Sequence, residues 1–301
     1  MIRPAYLKKG DTIGIAAPSN SIEYPYIENA IRIFESWGLH VVTSSNISGS
    51  HYQFAGNDPA RLEALQEMFD AAAIKAIICA RGGYGLTRII DRLSLEKFRT
   101  SPKWVIGFSD VSVLLLKIIN AGIECIHGPM TLTFDSEKYP EELSFLRKML
   151  FGESTGVYRI NQHSLNRPGT SSGMLTGGNL SLLCCSIGTQ TDFDTRGKIL
   201  FIEETDEYLY RIDRMAGQLH RAGKFNRLAG LVIGHMSNIK ENDKPFDRSV
   251  TEIFREYTDS FDFPVCFHAP AGHSHPNFPL PFGKVVHLNV GTDEVEIRFD
   301  E

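Results

Sequence analysis

Lys103-Trp104-Val105-Ile106-Gly107-Phe108-Ser109-Asp110-Val111-Ser112 reads as a buried strand that stops at Gly107, turns through Phe108 and Ser109, and re-enters as an apolar helix from Val111 to Ile119. A serine on so sharp a strand-to-helix turn is held out at the carboxyl end of a sheet, beside the first amides of a new helix. The stretch keeps the first glycine of G-x-S-x-G and lacks the second. Ser109 is therefore either a nucleophile on an incomplete elbow or a helix cap, since Ser and Asp are favoured caps. Both readings stand on this stretch alone.

Upstream, the pattern repeats. Thr12 to Ala17 is a short continuous apolar run, as expected of a strand buried on both faces, and Val41 to Thr43 and Ala73 to Ala80 are further strands. Between them lie helical spacings from Tyr26 to Trp37 and from Asp58-Pro59 onward, with a further helix expected over Leu86 to Leu93. Strands alternating with helices imply a mostly parallel, doubly wound sheet, which binds ligands at the carboxyl ends of its strands. The loop Arg81-Gly82-Gly83-Tyr84-Gly85 and the Ser109 turn should both lie at that end. Adjacent glycines let a ligand approach the backbone, or they only permit positive φ. The loop matches neither a phosphate-binding nor a dinucleotide-binding glycine pattern.

Downstream, Ile123 to Pro129 is another short strand and turn. Residues Asp135 to Pro168 then carry charges, prolines and weak periodicity, which places a domain boundary there. We expect an α/β domain over 1–150, a linker over 151–170 and a β-rich domain over 171–301. The last contains a turn-rich segment Ser172 to Leu180, short strands at Lys198 to Glu203, Leu228 to Gly234, Val265 to His268, Val285 to Asn289 and Val295 to Phe299, and helices at Tyr208 to Ala222 and Ser249 to Tyr257. Many short strands with Gly and Asn turns suggest a barrel-like arrangement.

The chain has 301 residues, 42% hydrophobic and 22% charged, so its class is globular. A net charge of −5 gives no footprint for nucleic acid or an anionic membrane, and no apolar run reaches spanning length. The N-terminal stretch reads as a first strand rather than a signal peptide. Five cysteines in apolar contexts, without a C-x-x-C pair, are the composition of buried free thiols in a reducing cytoplasm.

Two clusters in the second half carry chemistry. Leu200-Phe201-Ile202-Glu203-Glu204-Thr205-Asp206-Glu207 sets four carboxylates at the end of an apolar strand. Asp206 and Glu207 suit a solvated turn before a helix, whereas Glu203 continues the apolar run and needs a partner. Gly272-His273-Ser274-His275-Pro276-Asn277 is a loop after a strand. An imidazole with a carboxylate behind it is what a serine nucleophile lacks. His273-x-His275 also raises a zinc site, but no third ligand stands at telling spacing, so no metal and no cofactor are expected. His127 either lines the same crevice or is a hydrogen-bonded structural histidine. A thiol enzyme would need a cysteine at the elbow, where Ser109 stands.

Taken together, Gly10 to Ser19, Ala80 to Gly85, Gly107 to Asp110, His127 to Pro129, Gly177 to Leu180, Leu200 to Glu204, Tyr210 to Met215 and Gly272-His273 resemble, in order and over essentially the whole chain, the LD-carboxypeptidase family of serine peptidases. The resemblance implies a flavodoxin-like first domain, a smaller β-rich second domain and a homodimer. It also implies a triad of Ser109 as nucleophile, His273 as general base and Glu203 as the orienting carboxylate. Glu204 is the near miss, and His275 leaves a second imidazole beside the motif. The oxyanion would be met by amides of Asp110 and Gly82, within a loop that also offers Gly83. The implied substrate is a cytoplasmic murein tetrapeptide, cleaved before its terminal D-alanine. Arg81 is our candidate for the terminal carboxylate, because its fork matches that group. The same family includes immunity peptidases acting on microcin C-like peptide–nucleotides. The Tyr210 to Arg214 segment looks closer to the murein-recycling branch. A non-catalytic ligand-binding relative would be expected to have lost one of the three residues.

Overall fold

In the computed structural model, which describes residues 1–299, the chain divides into two units: residues 1–155 with 278–281, and the stretch from Gly156 to Asn277 with the chain from Phe282 onward. The first alternates strands and helices: β1 (Thr12–Ala16), α1 (Tyr24–Ser36), β2 (His40–Thr43), α2 (Asp58–Asp70), β3 (Ile74–Cys79), α3 (Glu96–Thr100), β4 (Trp104–Gly107), α4 (Ser112–Asn120), β5 (Cys125–His127) and α5 (Pro140–Phe151). These strands lie in the order β5-β4-β3-β1-β2, all parallel, with Ile13 opposite Ala76, Ile77 opposite Val105 and Ile106 opposite Ile126. The run of buried residues in β4 is continuous because helices cover both faces of a parallel sheet. Ile13, Ile15, Phe34, Ile78, Ile106 and Leu146 belong to one core cluster.

Lys103, at the start of the quoted stretch, is buried as well. Its Nζ donates to the carbonyls of Met68 and Ala71 at 3.0 and 2.7 Å, satisfying the end of α2, and burial lowers its pKa to about 8. The helix expected over Leu86 to Leu93 is instead two 3₁₀ turns, Leu86–Arg88 and Ile90–Arg92. Leu86, Ile89, Ile90 and Leu93 are all buried at helix-like spacing, but Ile89 sits at φ −121°, off the helical basin, and splits the run. So short an isolated segment gains little from helical propagation.

The second unit contains β6 (Val157–Asn161), β7 (Gly169–Asn179), α6 (Leu180–Ser186), β8 (Lys198–Thr205), α7 (Leu209–Arg221), β9 (Gly230–Ser237), α8 (Val250–Thr258) and β10 (Val265–Cys266), then β12 (Val285–Val290) and β13 (Glu294–Phe299). The intervening β11 (Leu280–Phe282) is the outer strand of the first sheet, beside β5. The second sheet has the order β10-β9-β8-β7-β12-β13-β6, parallel from β10 to β7 and antiparallel from β7 to β6.

Two stretches read differently from the sequence. Val157–Asn161, inside the expected linker, is a strand that alternates buried Tyr158 and Ile160 with exposed neighbours. The turn-rich segment after Ser172 is the central strand β7, with its glycines inside the sheet. A Cβ at Gly177 would stand 1.9 Å from the Phe201 carbonyl oxygen, so close approach of β8 requires glycine there.

Candidate active site

In the first unit the turn after β4 sets Ser109 at φ +63°, a left-handed conformation uncommon for a residue with a side chain. Phe108 before it is extended, and the amide of Val111 donates to the Phe108 carbonyl at 3.1 Å as the chain turns into α4. Every residue of α4 from Ser112 to Ile119 except Lys117 is buried. The new helix is thus anchored by packing, and its start is held against the strand end.

The Arg81–Gly85 loop follows β3, the neighbour of β4 in the sheet. A Cβ on Gly82 would lie 2.9 Å from the Ser109 Cβ, 3.0 Å from its Oγ and 3.4 Å from the Asp110 amide nitrogen. The backbone of Gly82 therefore runs directly alongside the serine, and a larger residue would occupy that space. Gly83 takes φ +100° next to Asn20, whose side-chain oxygen accepts from the Tyr84 amide at 3.3 Å. Arg81 Nη1 donates to the Ser21 carbonyl at 3.1 Å, which ties its guanidinium to the loop after β1. His127 is fully buried at the end of β5, with its ring edge-on to Phe108 at 5.9 Å between centroids.

In the second unit Glu203 and Glu204 end the apolar run of β8, and both are buried. The β8–β9 register shifts between Ile202 and Glu204, and this irregularity accompanies two adjacent buried carboxylates with different partners. Glu203 Oε2 lies 2.6 Å from His273 Nδ1. Glu204 accepts from Asn179 Nδ2 at 2.7 Å, from the amide and hydroxyl of Ser181 at 2.8 and 2.6 Å, and from the Thr205 amide at 2.9 Å. Burial still pushes the Glu204 pKa up despite these donors.

The loop that carries His273 is pinned at several points. The Gly272 amide donates to Asn277 Oδ1 at 2.9 Å, the hydroxyls of Ser274 and Ser237 meet at 2.5 Å, and His235 Nε2 lies 2.9 Å from the Pro276 carbonyl oxygen. Burial alone would lower the His273 pKa. The charge and hydrogen bond of Glu203, with Glu204 and Asp206 nearby, outweigh it and raise the value above 6.5. His275 is exposed.

Sequence reading missed the partners behind these groups: Ser19 and Arg61 in the first unit, and Asn179, Ser181, His235 and Ser237 in the second. Ser19 and Asn179 carried a signal, as the last residue of the Gly10 to Ser19 motif and the third of the Gly177 to Leu180 motif. Among the described residues no three His, Cys, Asp or Glu side chains converge as a metal-holding group. Cys79 lies within β3, and burial raises its thiol pKa, which keeps it protonated and inert.

A buried carboxylate against an imidazole, and a serine on a strained strand-to-helix turn, are the side-chain types that acyl-transfer hydrolases use. Residues 13–128 match the LD-carboxypeptidase N-terminal domain and residues 172–288 match the LD-carboxypeptidase C-terminal domain. The chain belongs to the LD-carboxypeptidase family and is a peptidase. It is 35% identical, over 95% of its length and 91% of the relative's, to a probable murein peptide carboxypeptidase of Bacillus subtilis strain 168. Among solved structures, a muramoyltetrapeptide carboxypeptidase from Oxalobacter formigenes superposes with a TM-score of 0.87 at 27% identity, covering 96% of this chain and 99% of that one. An MccF-like protein from Bacillus anthracis str. Ames gives a TM-score of 0.84 at 24% identity over the whole of both chains, a likeness of fold alone.

Proposed function

We propose that this peptidase removes the terminal D-alanine of murein tetrapeptides, with Ser109 as nucleophile, His273 as general base and Glu203 as its orienting carboxylate. The observation that carries the reading is the 2.6 Å contact between His273 Nδ1 and the fully buried Glu203. A carboxylate on Nδ1 directs the ring's other nitrogen, Nε2, to accept the serine proton, and it stabilises the imidazolium that results. In this reading the 1–150 domain supplies the nucleophile and the 171–301 domain supplies the base pair.

Ser109 Oγ attacks the carbonyl carbon before D-alanine while His273 takes its proton. The developing oxyanion is met by the amides of Asp110 and Gly82, with Gly83 keeping the loop backbone open to the substrate. His273 then protonates the leaving amine, D-alanine departs, and a water activated by the same imidazole releases the acyl group. Arg81 is the proposed partner of the substrate's free carboxylate. A homodimer working in the cytoplasm completes the proposal, with the free cysteines kept reduced there.

The test is incubation with tetrapeptides ending in D- or L-alanine, followed by mass detection of the released residue. Alanine should leave only the D-ending peptide, and Ser109→Ala should abolish the release while keeping its melting temperature. Release from both peptides, or retained turnover in Ser109→Ala, would overturn the assignment.

A further inference from the structure

Asp110 follows the proposed nucleophile, and its side chain is 1% exposed. Its carboxylate faces inward. Oδ2 accepts from the Ser19 hydroxyl at 2.7 Å and from the Leu86 amide at 2.9 Å. Ser19 lies just after β1, Leu86 just after the Arg81–Gly85 loop that follows β3, and Asp110 just after β4. These are three neighbouring strands of one parallel sheet. One buried oxygen thus joins the three loops at their carboxyl ends, including the loop whose Gly82 runs beside Ser109.

A second buried charge stands behind the first. Arg61 on α2 is fully buried, and its Nη1 donates to the Pro18 carbonyl at 2.6 Å while Nη2 pairs with Asp58 at 2.5 Å. Its guanidinium lies over the Phe54 ring at 4.9 Å. Burial pushes the Asp110 pKa up, and the Ser19 and Leu86 hydrogen bonds together with the Arg61 charge oppose that push. A buried carboxylate without such partners would be too costly to keep charged.

We propose that the Asp110 carboxylate is a positioning residue that clamps the Gly82–Leu86 segment and the Ser19 loop against the Ser109 turn, holding the amides of Gly82 and Asp110 where the oxyanion forms. The inference rests on the reading of Ser109 as nucleophile. A hydrogen-bond donor contributes to the transition state only when it is held in place beforehand, so a loosened loop lowers kcat more than it raises KM.

The experiment compares Asp110→Asn, Ser19→Ala and the double variant, with kcat, KM and melting temperature measured on a D-alanine-ending tetrapeptide and Ser109→Ala run alongside. Asp110→Asn should lower kcat on the order of 10- to 100-fold, with KM changed by about twofold or less. Ser19→Ala should lower kcat several-fold, and the double variant should be no slower than Asp110→Asn, because both act through one clamp. Wild-type kcat in a folded Asp110→Asn, or fully multiplicative losses in the double variant, would overturn the clamp. If Asp110→Asn does not fold, unchanged kcat in Ser19→Ala overturns it equally. An inert Ser109→Ala beside a fully active Asp110→Asn refutes the clamp alone, whereas an active Ser109→Ala refutes the nucleophile itself.

Discussion

His273 Nδ1 and Glu203 Oε2 lie 2.6 Å apart, while Glu204, the next residue, is tied up by Asn179, Ser181 and Thr205. Adjacent carboxylates on one strand thus have separate duties. One faces an imidazole that can move a proton, and the other is a structural anchor.

The pH dependence follows from that contact. The His273 pKa is raised above 6.5, and a general base works only when neutral. kcat/KM should therefore fall as pH drops through a midpoint above 6.5. Glu203→Gln removes the charge, so the acid limb should move to lower pH and kcat should fall on the order of 10⁴-fold. A limb that stays in place in Glu203→Gln would contradict the pairing. The same raised pKa gives stability that is fully present below about pH 6.5 and lost as pH rises through the folded value, which a melting series across that range would register.

Gly82→Ala should leave the fold intact and damage turnover. The added methyl would stand 3.0 Å from Ser109 Oγ, in the space through which the proposed mechanism brings substrate to the hydroxyl. We expect at least about a tenfold loss of kcat and, because the methyl would also stand 2.9 Å from the Ser109 Cβ, a stability loss of about 1–3 kcal/mol, read from steady-state kinetics and urea unfolding. Wild-type kcat in this variant would mean that the Gly82 backbone does not border the reacting atoms.

The two neighbouring histidines separate by mutation. His273→Ala should lose most activity, on the order of 10⁴-fold or more, and exposed His275→Ala should stay within about twofold of wild type. Steady-state assays on the D-ending tetrapeptide distinguish them. A dead His275→Ala with an active His273→Ala would move the base to the other imidazole.

Glu204→Ala should act on stability. Its loss leaves the buried Asn179 amide and the Ser181 and Thr205 donors without their acceptor. Such groups cost about 1–3 kcal/mol each when stranded, so urea unfolding should register a loss of at least about 2 kcal/mol. Unchanged stability would show that these hydrogen bonds do not hold the end of β8.

The alternating runs of the first half made the parallel sheet legible, because burial on both faces leaves an apolar signature that is continuous in β4 and broken in β3 only by exposed Lys75. The Ser109 turn, the Glu203 strand end and the His273 loop were legible as candidates for a related reason. Polar residues that directly continue apolar strands need partners. What the sequence hid was pairing over long separations. Ser19 and Asp110 are 91 residues apart, and Arg61 reads as an ordinary surface residue of an amphipathic helix until its burial is seen. The second half was harder still. Gly173, Gly177 and Gly178 look like turn residues, yet they lie inside β7, where local propensity gives way to the close packing of neighbouring strands. The 3₁₀ turns after Gly85 misled in the opposite direction, since their buried residues imitate helical spacing.

The central claim is that Ser109 becomes acylated by the peptide it cleaves. The most direct measurement is peptide mapping by mass spectrometry after exposure to a tetrapeptide-like phosphonate phenyl ester, whose phosphorus replaces the carbonyl before the terminal D-alanine and which expels phenoxide when Ser109 Oγ bonds to phosphorus. A single covalent adduct on the peptide carrying Ser109, formed slowly or not at all in Glu203→Gln and His273→Ala, is the result expected. An adduct on another residue, or full inactivation without any adduct at Ser109, would contradict it.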